Sequence, residues 1–384
     1  MTLIKAAKAL GVRSVVIDPD PEAPGNAFAD HFEVVGPLDY NLTKKIALKY
    51  NVYGIVTSQM ENPLRIMAKL AKELNLIFPL PEVIERCRNK YLMKLAFLRH
   101  DIPCAKGILI NKKEKITIRL LEDLSFPLIM KPADAHSSKG VYRVTDFEDL
   151  LKYESESRNF SSDHSVIIEE FIEGPEYSIE AIIHKGKTTI IQHTEKIITP
   201  YPRTVELGHI QPAGLSLKQK IEIDTLVAKA IKTLGIDNSA THTELKISKY
   251  GPVIIEIGAR LGGDYISSYL TNSSTGVNMD KAAIQVAMGL EPDTDIKEKA
   301  YSYIRYIELP QGKKVKQIDD WQEFLKNENV VHANVSIKIG DIVPIISDSA
   351  KRPGFVIVKG KSKEDVIQKS ELYCQQFVKY INLN

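Results

Sequence analysis

Residues 241–264 read THTELKISKYGPVIIEIGARLGGD, and this stretch decides the fold. Residues 241–247 (THTELKI) and 252–257 (PVIIEI) are two short strand-like runs joined by a tight turn at 249–251. Each run carries one carboxylate, Glu244 or Glu256. If the runs pair as a hairpin, the register can set both carboxylates side by side on one face. Adjacent carboxylates repel and raise each other's pKa unless a cation sits between them. Oxygen donors of this kind suit Mg²⁺, which also takes phosphate oxygens and keeps some waters. The alternative is that each carboxylate points separately to solvent from a half-buried strand.

Arg260 follows four residues after Glu256, and Gly262, Gly263 and Asp264 come next. A fixed guanidinium beside a metal ligand can hold a phosphate or carboxylate in bidentate fashion. The two glycines let backbone approach a ligand closely. A surface arginine leading into a loop is the alternative. Upstream, Lys131 ends the run PLIMK and precedes the loop PADAHSSKGV. There Ser137, Ser138, Lys139 and Gly140 offer backbone N–H groups, hydroxyls and a second cation, a set suited to phosphate. Taken alone, that loop reads equally well as a surface turn.

Further out, the N-terminal part alternates helix and strand signals. Helices are expected at 2–10, 40–49 and 63–74, and strands at 14–18, 31–35 and 52–57. Such alternation favours a parallel sheet flanked by helices. Residues 86–100 (RCRNKYLMKLAFLRH) read as one helix, and 165–170 (SVIIEE) as a strand. A polar segment covers 199–214 and a helix 218–234. Beyond 301 come short strands, a turn at 351–354 and a final helix over 363–380.

A length of 384 residues suits two or three packed domains. A net charge of +2, with no basic tract, gives no electrostatic reason to expect nucleic acid. Cys87, Cys104 and Cys374 are scattered and odd in number, which argues against a disulfide framework or a zinc site. No apolar run is long enough for a membrane span and no signal core is present, so a cytoplasmic location is expected.

Taken in order, RNKYLMK at 88–94, PLIMKPADAHSSKGV at 127–141, EEFIEGPEYSIEA at 169–181, HTELKI at 242–247 and EIGARLGGD at 256–264 resemble the ATP-grasp superfamily. The likeness covers about residues 1–300 well. GARLGGD and VELGHIQPAGL (205–215) point to its carboxylate–amine ligases, which include the L-amino-acid ligases. The resemblance implies an α/β and α+β ATP-grasp fold. A pre-ATP-grasp parallel α/β domain would span 1–85, the ATP-grasp domain 86–300 with its lid at about 105–172, and a small α+β domain 301–384. Relatives begin with a strand before the first helix, so the first domain is expected to lack that strand.

The resemblance also implies roles. Lys90 and Lys131 would contact ATP phosphates under the lid loop Ser137, Ser138, Lys139 and Gly140. Glu169, Glu170, Phe171 and Ile172 would form the adenine hinge, and Glu176 would bind ribose. Glu244 and Glu256 would ligate Mg²⁺, with Mn²⁺ an accepted substitute, and Arg260 would stabilise the forming acyl phosphate. Many relatives have Asn where this chain has Gly258. The segment 193–203 (HTEKIITPYPR), continuing to His209, is expected to face the acceptor substrate through Glu195, Lys196, Arg203 and His209. His242, Arg260, Gly262 and Gly263 join that set. For any one of these residues, an ordinary polar loop is an equal alternative. The expected partners are a small-molecule carboxylate and an amine, with no nucleic acid and no membrane; relatives are commonly homodimers. Alternatives are a bicarbonate- or formate-activating enzyme, as in biotin-carboxylase-like or carbamoyl-phosphate-synthase-like proteins, and a non-catalytic ATP-binding regulator.

Overall fold

The computed structural model describes residues 1–36, 38–135, 138–201 and 204–384. Its centre is an eight-stranded sheet. The strand order is Gly251–Gly258, Ser239–Ser248, Glu176–His184, Lys187–Ile198, Glu206–Gln211, Tyr301–Tyr306, Gly354–Gly360 and Val330–Val335. All neighbouring pairs are antiparallel. The sheet crosses the expected boundary at residue 300 unbroken, because Tyr301–Tyr306 pairs with Glu206–Gln211.

Alternation along these strands separates a core face from a cleft face. Ile179, Ala181, Ile183 and Leu245 are buried under the helix Leu217–Leu234, which contributes Ile223, Val227, Ala230 and Leu234. That helix starts at a capping box, in which Ser216 and Gln219 satisfy each other's backbone N–H groups. It stops at Gly235, whose φ of 77° is left-handed backbone that glycine adopts without strain. Glu176, Ser178 and Glu180 alternate with the core residues and face the other way.

Opposite the cleft face lies a four-stranded antiparallel sheet ordered Gly107–Ile110, Val166–Glu170, Leu128–Pro132 and Tyr142–Val144. It has its own core, including Leu128, Met130, Tyr142, Leu150 and Ile168. At the N-terminal end, Val15–Asp18 and His31–Val34 pair in parallel. The helices Thr2–Ala9, Tyr40–Lys49 and Leu64–Leu74 accompany them. No helix among the described residues is long and apolar enough to cross a membrane.

Three expectations need correction. Residues 52–57 form no strand: the backbone runs past Ala287 with no ladder partner among the described residues. A β-branched run becomes a strand only where a neighbour takes up its backbone groups. The helix expected over 86–100 is two helices, Pro81–Arg88 and Lys90–Arg99. Asn89 separates them in extended conformation, its side chain accepting from the N–H groups of Tyr91 and Leu92. An asparagine cap competes with helix continuation. The polar segment 199–214 contains the strand Glu206–Gln211. Its apolar pattern is weak because Glu206, His209 and Gln211 are buried by polar partners instead.

Candidate active site

The hairpin places Glu244 directly opposite Glu256, with a β-bulge just after Glu244. Directly paired residues have Cβ atoms about 5 Å apart, so both carboxylates rise from the floor of one cleft. The cleft is open to solvent and encloses a cavity of about 160 Å³. Among the described residues no three acids or histidines cluster as a metal cage. Two carboxylates that leave the remaining positions to phosphate oxygens and water fit Mg²⁺.

At the roof end Glu169 is buried between two lysines. Its Oε1 lies 2.6 Å from Lys131 Nζ and its Oε2 3.0 Å from Lys94 Nζ. Burial works against both charges. The attraction between Lys131 and Glu169 outweighs it, raising the lysine pKa and lowering the glutamate pKa. Lys90 Nζ donates to Ala135 O at 2.7 Å and pairs with Glu256 at 3.0 Å, tying loop to floor.

The floor end has the opposite arrangement. Lys196 is buried among three acids: its Nζ is 2.6 Å from Glu176, 3.1 Å from Glu244 and 3.5 Å from Glu206. Burial disfavours the ammonium, but the three carboxylates raise its pKa well above the ordinary value. Glu244 is held well below its usual range, with Lys196 and His242 overcoming its burial. His242 Nδ1 lies 2.5 Å from Glu180, and its Nε2 is 3.4 Å from Glu244. Burial pulls the imidazole pKa down, while Glu180 and Glu244 carry it up to about 9.

The loop after Glu256 closes the site. Gly262 donates its N–H to Ser267 Oγ at 2.8 Å, and Ser267 donates to Glu180 at 3.0 Å. A Cβ at residue 262 would stand 2.5 Å from Glu180 and 2.8 Å from His242, so any side chain there would have to push this buried pair aside. Arg260 Nε donates to Glu61 at 2.8 Å. Asp264 accepts a two-pronged contact from Arg352, at 2.8 and 2.6 Å, and one from His209 at 3.0 Å.

Most of the sequence-predicted residues line this single cleft. They are Lys90, Lys131, Ser138, Lys139, Glu169, Glu170, Phe171, Ile172, Glu176, His242, Glu244, Glu256 and Arg260. Gly140 turns beside Phe160 and Pro132 at the loop's end. Ser137 and Arg203 lie outside the described residues. The acceptor set does not stay together. Glu195 and Lys196 are consecutive on a strand and point to opposite faces. Glu195 pairs with Lys363 at 2.6 Å, away from the cleft. His209 is buried behind the cleft on Asp264. Sequence reading missed Glu61, Lys94, Glu180, Glu206 and Lys246. Glu206 lies in the quoted segment VELGHIQPAGL, where an acid inside an otherwise apolar-flanked stretch was the available signal.

Comparison with known proteins shows which chains resemble this one in sequence and fold. The ATP-grasp domain family matches residues 124–268, and the L-amino acid ligase C-terminal domain 2 family matches 305–377. The chain is 25% identical to dapdiamide A synthase of Enterobacter agglomerans over 70% of this chain and 66% of that enzyme. It is 30% identical to alanine–anticapsin ligase of Bacillus subtilis over 64% of this chain and 56% of that one. It therefore spans under two thirds of either enzyme's length. The crystal structure of L-amino acid ligase from Bacillus licheniformis superposes with a TM-score of 0.84 at 24% identity, covering 100% of this chain and 95% of that one. Residues 124–268 thus carry an ATP-grasp domain. Residues 305–377 carry the C-terminal domain described for L-amino acid ligases.

Proposed function

We propose that the protein activates a carboxylate as an acyl phosphate with ATP, for attack by an amine, releasing ADP and phosphate. The observation that carries this reading is the direct pairing of Glu244 with Glu256 in the cleft that also holds Lys90, Lys131 and Arg260. Phosphoryl transfer needs mainly positioning and charge stabilisation, which such a constellation supplies. Lys131 and Lys90 hold the phosphates, and Glu169 to Ile172 with Glu176 receive the nucleoside. Bound Mg²⁺ on Glu244 and Glu256 would neutralise charge on the transferring phosphoryl group. Arg260 holds the substrate carboxylate and the negative charge that develops on it. Two of the named relatives are called alanine–anticapsin ligase and L-amino acid ligase, so we take at least one of the joined partners to be an amino acid.

Hydroxylamine trapping tests the reading. With ATP, Mg²⁺ and pooled amino acids, the parent chain should give a hydroxamate and ADP in equal amounts. Glu256→Gln should remain folded and give neither. ATP turnover that depends on bicarbonate or formate, and on no amino acid, would overturn the proposal in favour of small-acid activation.

A further inference from the structure

We infer that Glu61, far from the cleft motifs in sequence, is the positioning residue for Arg260, and that Gly258 makes room for it. The inference rests on the proposed anion-holding role of Arg260. Glu61 is 199 residues from Arg260 in the chain, yet their side chains are only 11% and 13% exposed and meet at 2.8 Å. Glu61 is itself anchored. Its carbonyl accepts from Arg88 Nη1 and from the N–H of Leu64, the fully buried first residue of the helix Leu64–Leu74. The carboxylate is thus set by a packed helix rather than by a free loop.

A guanidinium is a rigid planar fork, so fixing one edge aims the other. Arg260 gives its Nε to Glu61 and one Nη1 N–H to Leu261 O at 2.9 Å. The remaining N–H groups, chiefly those of Nη2, belong to a side chain that lines the cleft. There they can take two oxygens of one carboxylate or phosphoryl group. Gly258 completes the arrangement. A Cβ at 258 would lie 3.3 Å from Glu61 Oε1 and 3.4 Å from Arg260 Cζ. Alanine is borderline there, and a larger side chain must push the carboxylate off the guanidinium.

Two other roles for the pair make different predictions. If Glu61 merely neutralised Arg260 until substrate displaced it, Glu61→Gln would tighten anion binding. If the pair were only structural, the variant would melt earlier with normal turnover per folded molecule. A positioning role gives Glu61→Gln an unchanged KM for ATP and a kcat lower by roughly ten- to a hundredfold, the scale of a displacement near 1 Å. Gly258→Leu, with Glu61 intact, should show the same split, and the double variant should lose little more than either single one. Glu61→Asp should recover part of the loss. A second readout needs no turnover. Inorganic phosphate should raise the melting temperature of the parent, and Glu61→Gln should lose the same part of that rise as Arg260→Gln. Normal kcat in Glu61→Gln, or phosphate protection equal to the parent's, overturns the inference while leaving the ligase reading in place. A parent that makes no hydroxamate overturns the ligase reading, and the phosphate measurement still decides on Glu61.

Discussion

The two ends of the cleft are charge inversions of each other. At the roof one acid, Glu169, is buried between Lys94 and Lys131; at the floor one base, Lys196, is buried among Glu176, Glu206 and Glu244. Each cluster satisfies its central group and leaves a surplus of one sign. Positive surplus suits phosphate oxygens and negative surplus suits a cation or an ammonium group. Burial makes both surpluses effective, because a low-dielectric site screens them little. On the proposed reading, the roof surplus would face phosphate oxygens and the floor surplus the metal ion.

The comparison is broken most severely by removing the outnumbered charge. Lys196→Met leaves three carboxylates with only the more distant His242, 3.4 Å from Glu244, and Lys246, 3.9 Å from Glu176, to offset them. Removing one partner of a buried charge group costs about 3–5 kcal/mol, read as a lower urea midpoint at unchanged slope. Millimolar Mg²⁺ should restore more of that loss in the variant than it adds to the parent. A variant as stable as the parent, or indifferent to Mg²⁺, would mean that the floor carries no negative surplus.

Lys131→Met attacks the roof, and its effect should be smaller. Glu169 keeps Lys94 as a partner, so the expected loss is about 1.5–3 kcal/mol, the scale of one hydrogen bond to a charged group. The rise in melting temperature on adding ADP should disappear, while the response to Mg²⁺ alone stays. If ADP still protects the variant, the roof surplus does not serve phosphate.

How much of this was legible depends on how local each contact is. The hairpin was readable because two strand-like runs flank a short turn, but the turn's register alone would set Glu244 against Ile255, and only the bulge after Glu244 brings it opposite Glu256. The roof loop and hinge were readable as ordered motifs. Lys196 falls with Glu195 in the segment expected to face the acceptor, because no strand is legible there to send the two to opposite faces. Glu61 and Glu206 gain their meaning from contacts across strands or across 199 residues of chain, and no local pattern encodes those. The same holds for residues 52–57: the run has strand composition, but pairing belongs to the neighbour.

A third charged cluster, just behind the cleft, sharpens the comparison through pH. Burial works against ionised Asp264, but the Arg352 fork and His209 outweigh it and hold the carboxyl well below its ordinary range. A depressed pKa contributes stability that is complete above the unfolded value of about 3.9. It is lost as pH falls, by up to about 1.4 kcal/mol per pH unit. Between about pH 4 and pH 2 the parent's urea midpoint should therefore drop more steeply than that of Asp264→Asn. Parallel acid limbs would show that Asp264 is not held by its neighbours as the geometry indicates.

The smallest effect separates a charge that belongs to the cleft from one that only adjoins it in sequence. Glu195 and Lys196 are consecutive, yet one meets Lys363 on the final helix and the other meets the three floor acids. The Glu195–Lys363 pair is about a quarter to a third exposed, with side chains 24% and 30% accessible. Water screens such a pair, and its net worth is about 0.2–1 kcal/mol. Glu195→Gln should shift the urea midpoint by no more than that, with the shift shrinking in high salt. Hydroxamate formation and its dependence on acid, amine and Mg²⁺ should match the parent's. A change in the apparent KM for acid or amine in Glu195→Gln would put this face of the strand back in the substrate path. An unchanged KM beside the Mg²⁺-sensitive loss of stability expected for Lys196→Met assigns the cleft to one parity of a single strand, with two adjacent charges divided by nothing more than the pleat.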